Sequence, residues 1–353
     1  MPLTSPLDLI AENRLLDAWG CALRRHPAQA NRMHEADAEL LPLPGSSRLL
    51  ALTTDTLAEE IALGFYTDPE TIGWMAATMS LSDLAAVAAQ PLGLLVAVTL
   101  PRDAGPDYQT RLAAGLDGAC EAVGTFVLGG DTNFGGEASV TTTAVGLVEA
   151  ANVLRRIGCG SGEVVFASGQ LGAGATVAAR AAAGGAAAGG SAPFRPVARL
   201  AEARRLVGFA TACMDTSDGL VATLDQLSRL NGVGFELTAP LPRLLDPGAL
   251  RTCRALGLDP LVALAQPHGE FELVWTVLAA DSERFQCEAR SGGFEPLVVG
   301  RTIAEPVVRV AGDPPRTLDT ARIRNLTDEV GSDPRKYVPA LVAALRGEDV
   351  PRP

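Results

Sequence analysis

Between Leu49 and Val148 the chain alternates short runs of apolar and β-branched residues with longer apolar stretches of helical spacing. An alternation of this kind confines a chain to an α/β arrangement, with sheets covered by helices. Leu49–Thr54 reads as a strand with a functional loop, TTDTL, at its end. Thr71–Ala89 reads as a mostly apolar helix, and Leu92–Leu100 as a Val/Leu-rich strand stopped by Pro101. Pro106–Val123 is the next helix, Phe126–Leu128 opens a strand that runs into Gly-Gly-Asp-Thr, and Ser139–Val148 closes this half as a strand. Ahead of it, Leu7 to about Arg25 has helical apolar spacing (Leu9, Ile10, Leu15, Leu16, Trp19, Leu23), and a polar segment containing His34–Leu43 follows.

A second half begins with the strand Val164–Ser168, the Gly169–Gly174 turn (GQLGAG) and an alanine-rich helix. The Ala181–Gly190 stretch is low-complexity and reads as a helix end plus loop. Ala198–Ala212 and Val221–Asn231 read as helices, and Gly234–Leu237, Phe271–Ala279 and Leu297–Val299 as strands. From Pro314 the chain turns polar, with few core-forming positions. The expected division is 1–150, 151–312 and a C-terminal extension, 313–353, which suits 353 residues.

Composition narrows the chemistry. Net charge is −12, which argues against nucleic-acid or anionic-membrane partners but not against a polyphosphate accompanied by metal ions. Of the 29 basic residues only Lys336 is lysine, so the lysine-bearing phosphate loop G-x-x-x-x-G-K-[ST] is absent. Three histidines, His26, His34 and His268, give little material for histidine-based metal sites. The six cysteines form no C-x-x-C pair and read as free, buried thiols. The N-terminus lacks a basic, then apolar, leader, and no apolar run approaches the ~20 residues of a membrane span. A cytoplasmic protein is expected.

Four short acidic motifs remain: Thr53–Asp55 followed by Thr56, the SLSDLAA segment around Asp83, Gly129–Thr132, and Asp215–Gly219. Each sets a carboxylate beside a small or hydroxylated residue, three of them at expected element boundaries. Carboxylates and hydroxyls are the donors a hard ion such as Mg²⁺ prefers, and Gly129 and Gly130 let backbone N–H groups approach phosphates. Taken singly, each motif has an ordinary explanation. Asp83 or Asp218 could cap a helix, and Gly-Gly-Asp is a common turn. Asp83, however, sits among apolar residues, where a charge needs compensation.

In this order the motifs ADAELL, TTDTLAE, SLSDLAAVAAQP, GGDT, DTSDGL and GEFELV resemble those of the thiamine-monophosphate kinase family, within the AIR synthase-like (PurM-like) superfamily. Phe194–Leu206 is similar to a further Arg/Pro stretch of that family, and the likeness spans roughly residues 35 to 300. It implies two α/β halves, an N-terminal sheet that pairs with a second subunit's into a dimeric barrel, and ATP bound with Mg²⁺. Asp37, Asp55, Asp83, Asp131, Asp215 and Asp218 then correspond to metal ligands, with Asp55, Asp131 and Asp218 the catalytic carboxylates. Thr53 and Thr54 lie beside them, and Gly129, Gly130, Arg155 and Ser217 correspond to nucleotide contacts. Transfer in this family is direct and in line, with no protein nucleophile.

The departures fall on the acceptor side. Ala36 and Ala62 replace a family Asp and His, Glu270 and Phe271 stand at its Asp and Tyr, and its C-terminal aromatic segment has no match in Val330–Pro353. Glu270 is the candidate acceptor contact. The same ATP chemistry on another small metabolite, and a non-catalytic nucleotide-binding homologue, are the alternatives.

Overall fold

A computed structural model describes residues 6–182 and 194–349. After a 3-10 turn at Pro6–Leu9, the first half runs α1 (Ala11–Ala22), β1 (Glu39–Pro42), β2 (Arg48–Leu57), α2 (Glu59–Ala62), α3 (Pro69–Ala86), β3 (Gln90–Pro101), α4 (Pro106–Val123), β4 (Val127–Gly135) and β5 (Ser139–Glu149). The second half begins β6 (Val164–Ala167), α5 (Ala173–Ala182), α6 (Leu200–Leu206), β7 (Ala210–Asp215), α7 (Leu220–Asn231) and β8 (Gly234–Leu237). It continues α8 (Leu241–Leu244), α9 (Pro247–Leu256), α10 (Pro260–Leu264), β9 (Leu273–Val277), α11 (Ser282–Ser291), β10 (Leu297–Ile303), β11 (Val308–Val310), β12 (Arg316–Thr317), α12 (Thr320–Val330) and α13 (Pro334–Arg346). The mixed α/β character expected from the alternating pattern is present. The Ala181–Gly190 stretch falls almost wholly outside the described residues.

Two sheets organise the chain. The first has strand order β1-β2-β5-β3-β4, the second β12-β11-β8-β10-β6-β9-β7. In the first sheet only the β3–β4 pair is parallel.

Helix α3 carries the core between them. Asp68 caps it, accepting from the Thr71 N–H, and Pro69 occupies its first turn, where a missing N–H costs nothing. Its apolar residues are spread all round, as suits a helix buried on every side. One core cluster runs from Ile72, Met75 and Leu84 of α3 through Leu94 and Ala144 of the first sheet to Phe166 and Trp275 of the second. Helix α4 crosses α3 closely at Gly115, where a Cβ would lie 1.9 Å from the Glu70 carbonyl oxygen. The Trp74 Nε1–H donates to the Pro196 carbonyl at 2.7 Å, tying α3 to the second half.

Several sequence expectations need correction. TTDTL is not a loop: β2 continues to Leu57 and carries Asp55 inside it. Gly-Gly-Asp-Thr likewise lies within β4, whereas Asp83 lies inside α3, the helix expected over Thr71–Ala89, and does not cap one. Residues 210–212 are strand rather than helix, because β7 must pair with β9. The polar tail is not poor in core positions. Ile323, Leu326, Tyr337, Leu341 and Leu345 are buried in the second core cluster, spaced along α12 and α13 so that each helix turns one apolar stripe inward. The thiols of Cys120, Cys159, Cys213 and Cys253 are buried, but Cys21 and Cys287 are exposed. Of the apolar positions expected along α1 only the preceding Ile10 is buried, while Leu15, Trp19 and Leu23 stay exposed and the polar Asn13 is the helix residue turned inward. Among the described residues no helix is long and apolar enough to cross a membrane.

Candidate active site

The alternation of side chains along β2 sorts the acidic motifs. Leu49, Ala51 and Leu57 are buried on the face toward α3, so Thr53 and Asp55 share that face. Thr54 and Thr56 point to the other. There the Thr54 hydroxyl donates to the Thr142 carbonyl at 3.1 Å and accepts from the Thr143 hydroxyl at 3.1 Å.

On the helix side four carboxylates meet. Oxygens of Asp37 (ahead of β1), Asp83 (α3) and Asp215 (the end of β7) lie within 4.8 Å of one another. Asp55 stands beside them, accepting from the Ser80 hydroxyl at 3.1 Å. The Thr53 hydroxyl donates to Asp83, and the Ser82 hydroxyl donates to Asp215 at 2.6 Å. The Ser217 hydroxyl and N–H donate to the other Asp215 oxygen at 3.1 and 3.4 Å. Arg156 binds one Asp37 oxygen at 2.8 Å, while the second Asp37 oxygen is buried and has no hydrogen-bond partner among the described residues.

Crowding of like charge in a buried place has the expected electrostatic result. Burial raises the Asp55 carboxyl above its ordinary range, and the charge of Asp37 adds to this. Asp83 is pushed well up by burial and by Asp55, Asp215 and Asp37. Asp215 is pushed to about 7, by burial and then by Asp37. Asp218 is exposed where it faces a neighbouring cavity, and the protein packed around it raises it to about 6, with the charge of Glu12 contributing. Burial opposes the charge of Arg156, yet Asp37, Asp83 and Asp215 hold its guanidinium protonated. One cation against four carboxylates leaves room for more positive charge.

Asp131 does not join this cluster in the single chain. The register pairs Ala97 with Thr141 and with Asp131, and Thr56 with Thr141, which places Asp131 on the open face with Thr54 and Thr56. It is exposed and accepts from Asn133 at 2.7 Å. Gly130 has a structural reason of its own: a Cβ there would lie 1.7 Å from the Val96 carbonyl oxygen across the strand pair. Arg155 contacts the site's frame: its carbonyl accepts from the Cys213 N–H at 2.7 Å, and its guanidinium donates to the Ala30 carbonyl at 3.3 Å.

The GEFEL segment works differently from its sequence reading. Glu270 is buried, its carboxylate receiving the Gly172 N–H and, at 2.9 Å, the Thr216 hydroxyl. Burial pushes it to about 8. Both oxygens are thus engaged inside the protein, fastening the loop that presents Asp215 and Asp218. Phe271 has φ 61°, a costly conformation for a bulky residue, and is fixed between Glu270 and a Glu272 whose backbone N–H and C=O both bond Thr216. Glu270→Ala strands a buried N–H and a hydroxyl, so urea unfolding is expected to show a loss of about 2–4 kcal/mol.

Instead of Glu270, His268 faces the cavity, which has a volume of about 570 Å³. Its imidazole Nε2 lies 2.6 Å from the Tyr66 hydroxyl, and burial lowers it to about 4, so it is neutral at pH 7. Tyr337, from the segment without a sequence match, lines the same cavity. Sequence reading missed Arg156, Ser82 and His268. Ser82 was within reach, since it stands next to Asp83 in the motif, whereas nothing in the sequence separates Arg156 from Arg155.

Residues 35–148 match the family model described as AIR synthase related protein, N-terminal domain. Thiamine-monophosphate kinase of Halobacterium salinarum is 34% identical over 271 residues, covering 74% of this chain and 88% of that protein. The chain belongs to the thiamine-monophosphate kinase family. A solved structure from Thermus thermophilus, tt0281, superposes with a TM-score of 0.72 at 30% identity, covering 86% of this chain and 97% of that one. Another, AaThiL complexed with AMPPCP and TMP, gives a TM-score of 0.69 at 24% identity over 90% and 98%, and shares the fold. The PurM-like fold expected from the motif order is therefore that of this chain.

Proposed function

We propose that this member of the family is an Mg²⁺-dependent phosphotransferase that moves the γ-phosphoryl group of ATP directly onto the phosphate of thiamine monophosphate, giving thiamine diphosphate and ADP. The observation that carries the reading is the meeting of Asp37, Asp83 and Asp215, from three separate elements, within 4.8 Å. The donor set fits a hard divalent cation. It is all oxygen, it holds more negative charge than Arg156 offsets, and one Asp37 oxygen is buried without a partner among the described residues. Asp37, Asp55, Asp83, Asp215 and Asp218 would hold Mg²⁺, which when bound would neutralise phosphate charge.

The chain's own residues do the positioning. Thr53, Ser80 and Ser82 orient the carboxylates through the hydrogen bonds above, and Arg156 fixes Asp37. Ser217, Arg155 and the backbone at Gly129 and Gly130 are assigned to the nucleotide. No protein nucleophile is required, because in-line transfer depends on alignment and charge. In this reading residues 1–150 supply most of the ATP and metal site, 151–312 supply Asp215 to Gly219, and the tail helices wall the acceptor cavity.

Asp131 and the threonines of the open sheet face are assigned to a site completed in a homodimer. Leu95 on that face, and Phe126, Leu128 and Phe134 along the β4 edge, are exposed, which favours burial against a second sheet. A Leu95→Glu, Leu128→Glu double variant is expected to run as a monomer in light scattering, where wild type runs as a dimer.

The deciding assay is ADP release with saturating Mg·ATP and thiamine monophosphate. Turnover that requires both Mg²⁺ and thiamine monophosphate supports the reading. ATP binding with no turnover on this acceptor sinks it, and turnover on other phosphate monoesters alone selects the second reading, favoured by the change at Ala62, of the same chemistry on a different metabolite.

A further inference from the structure

Two aromatic side chains hold His268 in one orientation at the wall of the cavity. Phe65 packs edge-on against its ring, with centroids 5.1 Å apart and planes at 64°, and the Tyr66 ring lies 5.7 Å away at 42°. Phe65 and Tyr66 come from the turn between α2 and α3, and His268 from the segment that leads into β9. The ring is thus clamped by the other half of the chain, and nothing in the metal and nucleotide positioning described above requires it.

The contact with Tyr66 decides which ring nitrogen carries the proton. Tyr66 is buried, and burial, with the charge of Glu60 adding to it, keeps its phenol protonated. Its hydroxyl has one hydrogen-bond partner among the described residues, the His268 Nε2 at 2.6 Å. A buried O–H left without an acceptor is costly, so the hydroxyl donates to Nε2. Burial lowers His268 to about 4, so the ring is neutral at pH 7 and its single proton sits on Nδ1. Nδ1 has no hydrogen-bond partner among the described residues and is not sealed in, so its N–H opens into the cavity that the ring lines.

We propose that His268 binds the acceptor's phosphate, its Nδ1–H donating to a phosphate oxygen. The inference rests on the phosphotransferase reading, and it holds for any phosphate monoester acceptor. Asp218, assigned above to the metal, lines the same cavity, so a phosphate held by His268 shares the space onto which that carboxylate opens. A neutral donor suits the task, because it orients one oxygen for in-line attack and draws off less of its negative charge than a cation would. A hydrogen bond to a charged oxygen changes affinity by about tenfold or more.

Two substitutions separate this role from a structural one. In His268→Gln the amide reaches the position of Nε2 and still accepts from Tyr66, but no donor remains at Nδ1. In His268→Asn the amide ends at the position of Nδ1 and keeps a donor there, but the Tyr66 hydroxyl is stranded. ADP release is measured with saturating Mg·ATP and thiamine monophosphate, or whichever phosphate monoester wild type turns over. The KM for the acceptor is expected to rise about tenfold or more in His268→Gln and to stay within about threefold of wild type in His268→Asn, with the KM for Mg·ATP unchanged in both. Melting temperatures are expected in the opposite order, His268→Asn being the less stable. An acceptor KM that follows stability, that rises equally in both variants or that changes in neither overturns the proposal. If wild type transfers to no acceptor, the phosphotransferase reading fails separately, and calorimetry with thiamine monophosphate decides. Binding that weakens about tenfold in His268→Gln but is kept in His268→Asn upholds the role of His268, whereas equal binding by all three proteins, or none, overturns it.

Discussion

Asp83→Asn is expected to lower kcat by about a hundredfold or more while leaving the metal-free protein at least as stable as wild type. The two effects have one cause. Asp83 lies among apolar residues of α3, and its carboxyl is raised well above the ordinary range by burial and by three neighbouring carboxylates. Without a bound cation, an ionised Asp83 repels Asp55, Asp215 and Asp37, and a neutral amide of nearly the same shape removes that repulsion. The amide oxygen still accepts from the Thr53 hydroxyl, so local packing is kept. With Mg·ATP the balance reverses, because the charge that strains the free protein is the charge that would hold the cation. Steady-state kinetics together with urea unfolding in a chelator test the pairing. An active Asp83→Asn variant would remove Asp83 from the site, and an inactive but destabilised one would assign it a structural role.

The second large effect is a pH dependence that Mg²⁺ should erase. Asp215 titrates at about 7 and Asp218 at about 6 in the folded chain, against about 3.8 for an ordinary aspartate. A carboxyl raised on folding holds its proton more tightly in the folded state than in the unfolded one. The destabilisation is therefore absent below about pH 4, grows as pH rises, and is complete near pH 7 for Asp215. Its full size for one group shifted about three units is on the order of 4 kcal/mol. Metal-free protein is thus expected to lose stability from about pH 4.5 to about pH 7, in urea titrations at fixed ionic strength. Added Mg²⁺ should restore it most at the upper end, where the carboxylates are ionised. A stability that is flat over this range, with and without Mg²⁺, would mean that these carboxyls do not share a desolvated, cation-binding site.

Local pattern was enough for most elements. Pro106–Val123 forms the helix its proline start and apolar spacing predict, and Gly234–Leu237 the expected strand. The errors share a cause. TTDTL is polar and GGDT glycine-bearing, so they look like loops, yet each is a strand interior because its backbone pairs with a neighbour distant in sequence. Residues 210–212 look helical locally and become strand through pairing with β9. The tail looked solvated because its apolar residues are sparse, but their spacing puts them all on the inner side of α12 and α13.

By itself the sequence determined the chemical vocabulary of this protein. Aspartates and hydroxyls in place of lysines and histidines leave oxygen-bound metal as the natural chemistry, and the order of the motifs identifies the family. Tertiary structure decided how those residues are divided. The two-residue period of β2 sends Asp55 to the helix face and Thr54 to the open one, and strand register carries Asp131 with Thr54. Only the packing of α3 between two sheets brings Asp83 to Asp37 and Asp215, which lie far from it along the chain on either side. Charge repulsion, an unpartnered oxygen and a cavity wall are properties of distances across the fold, which no run of neighbouring residues encodes.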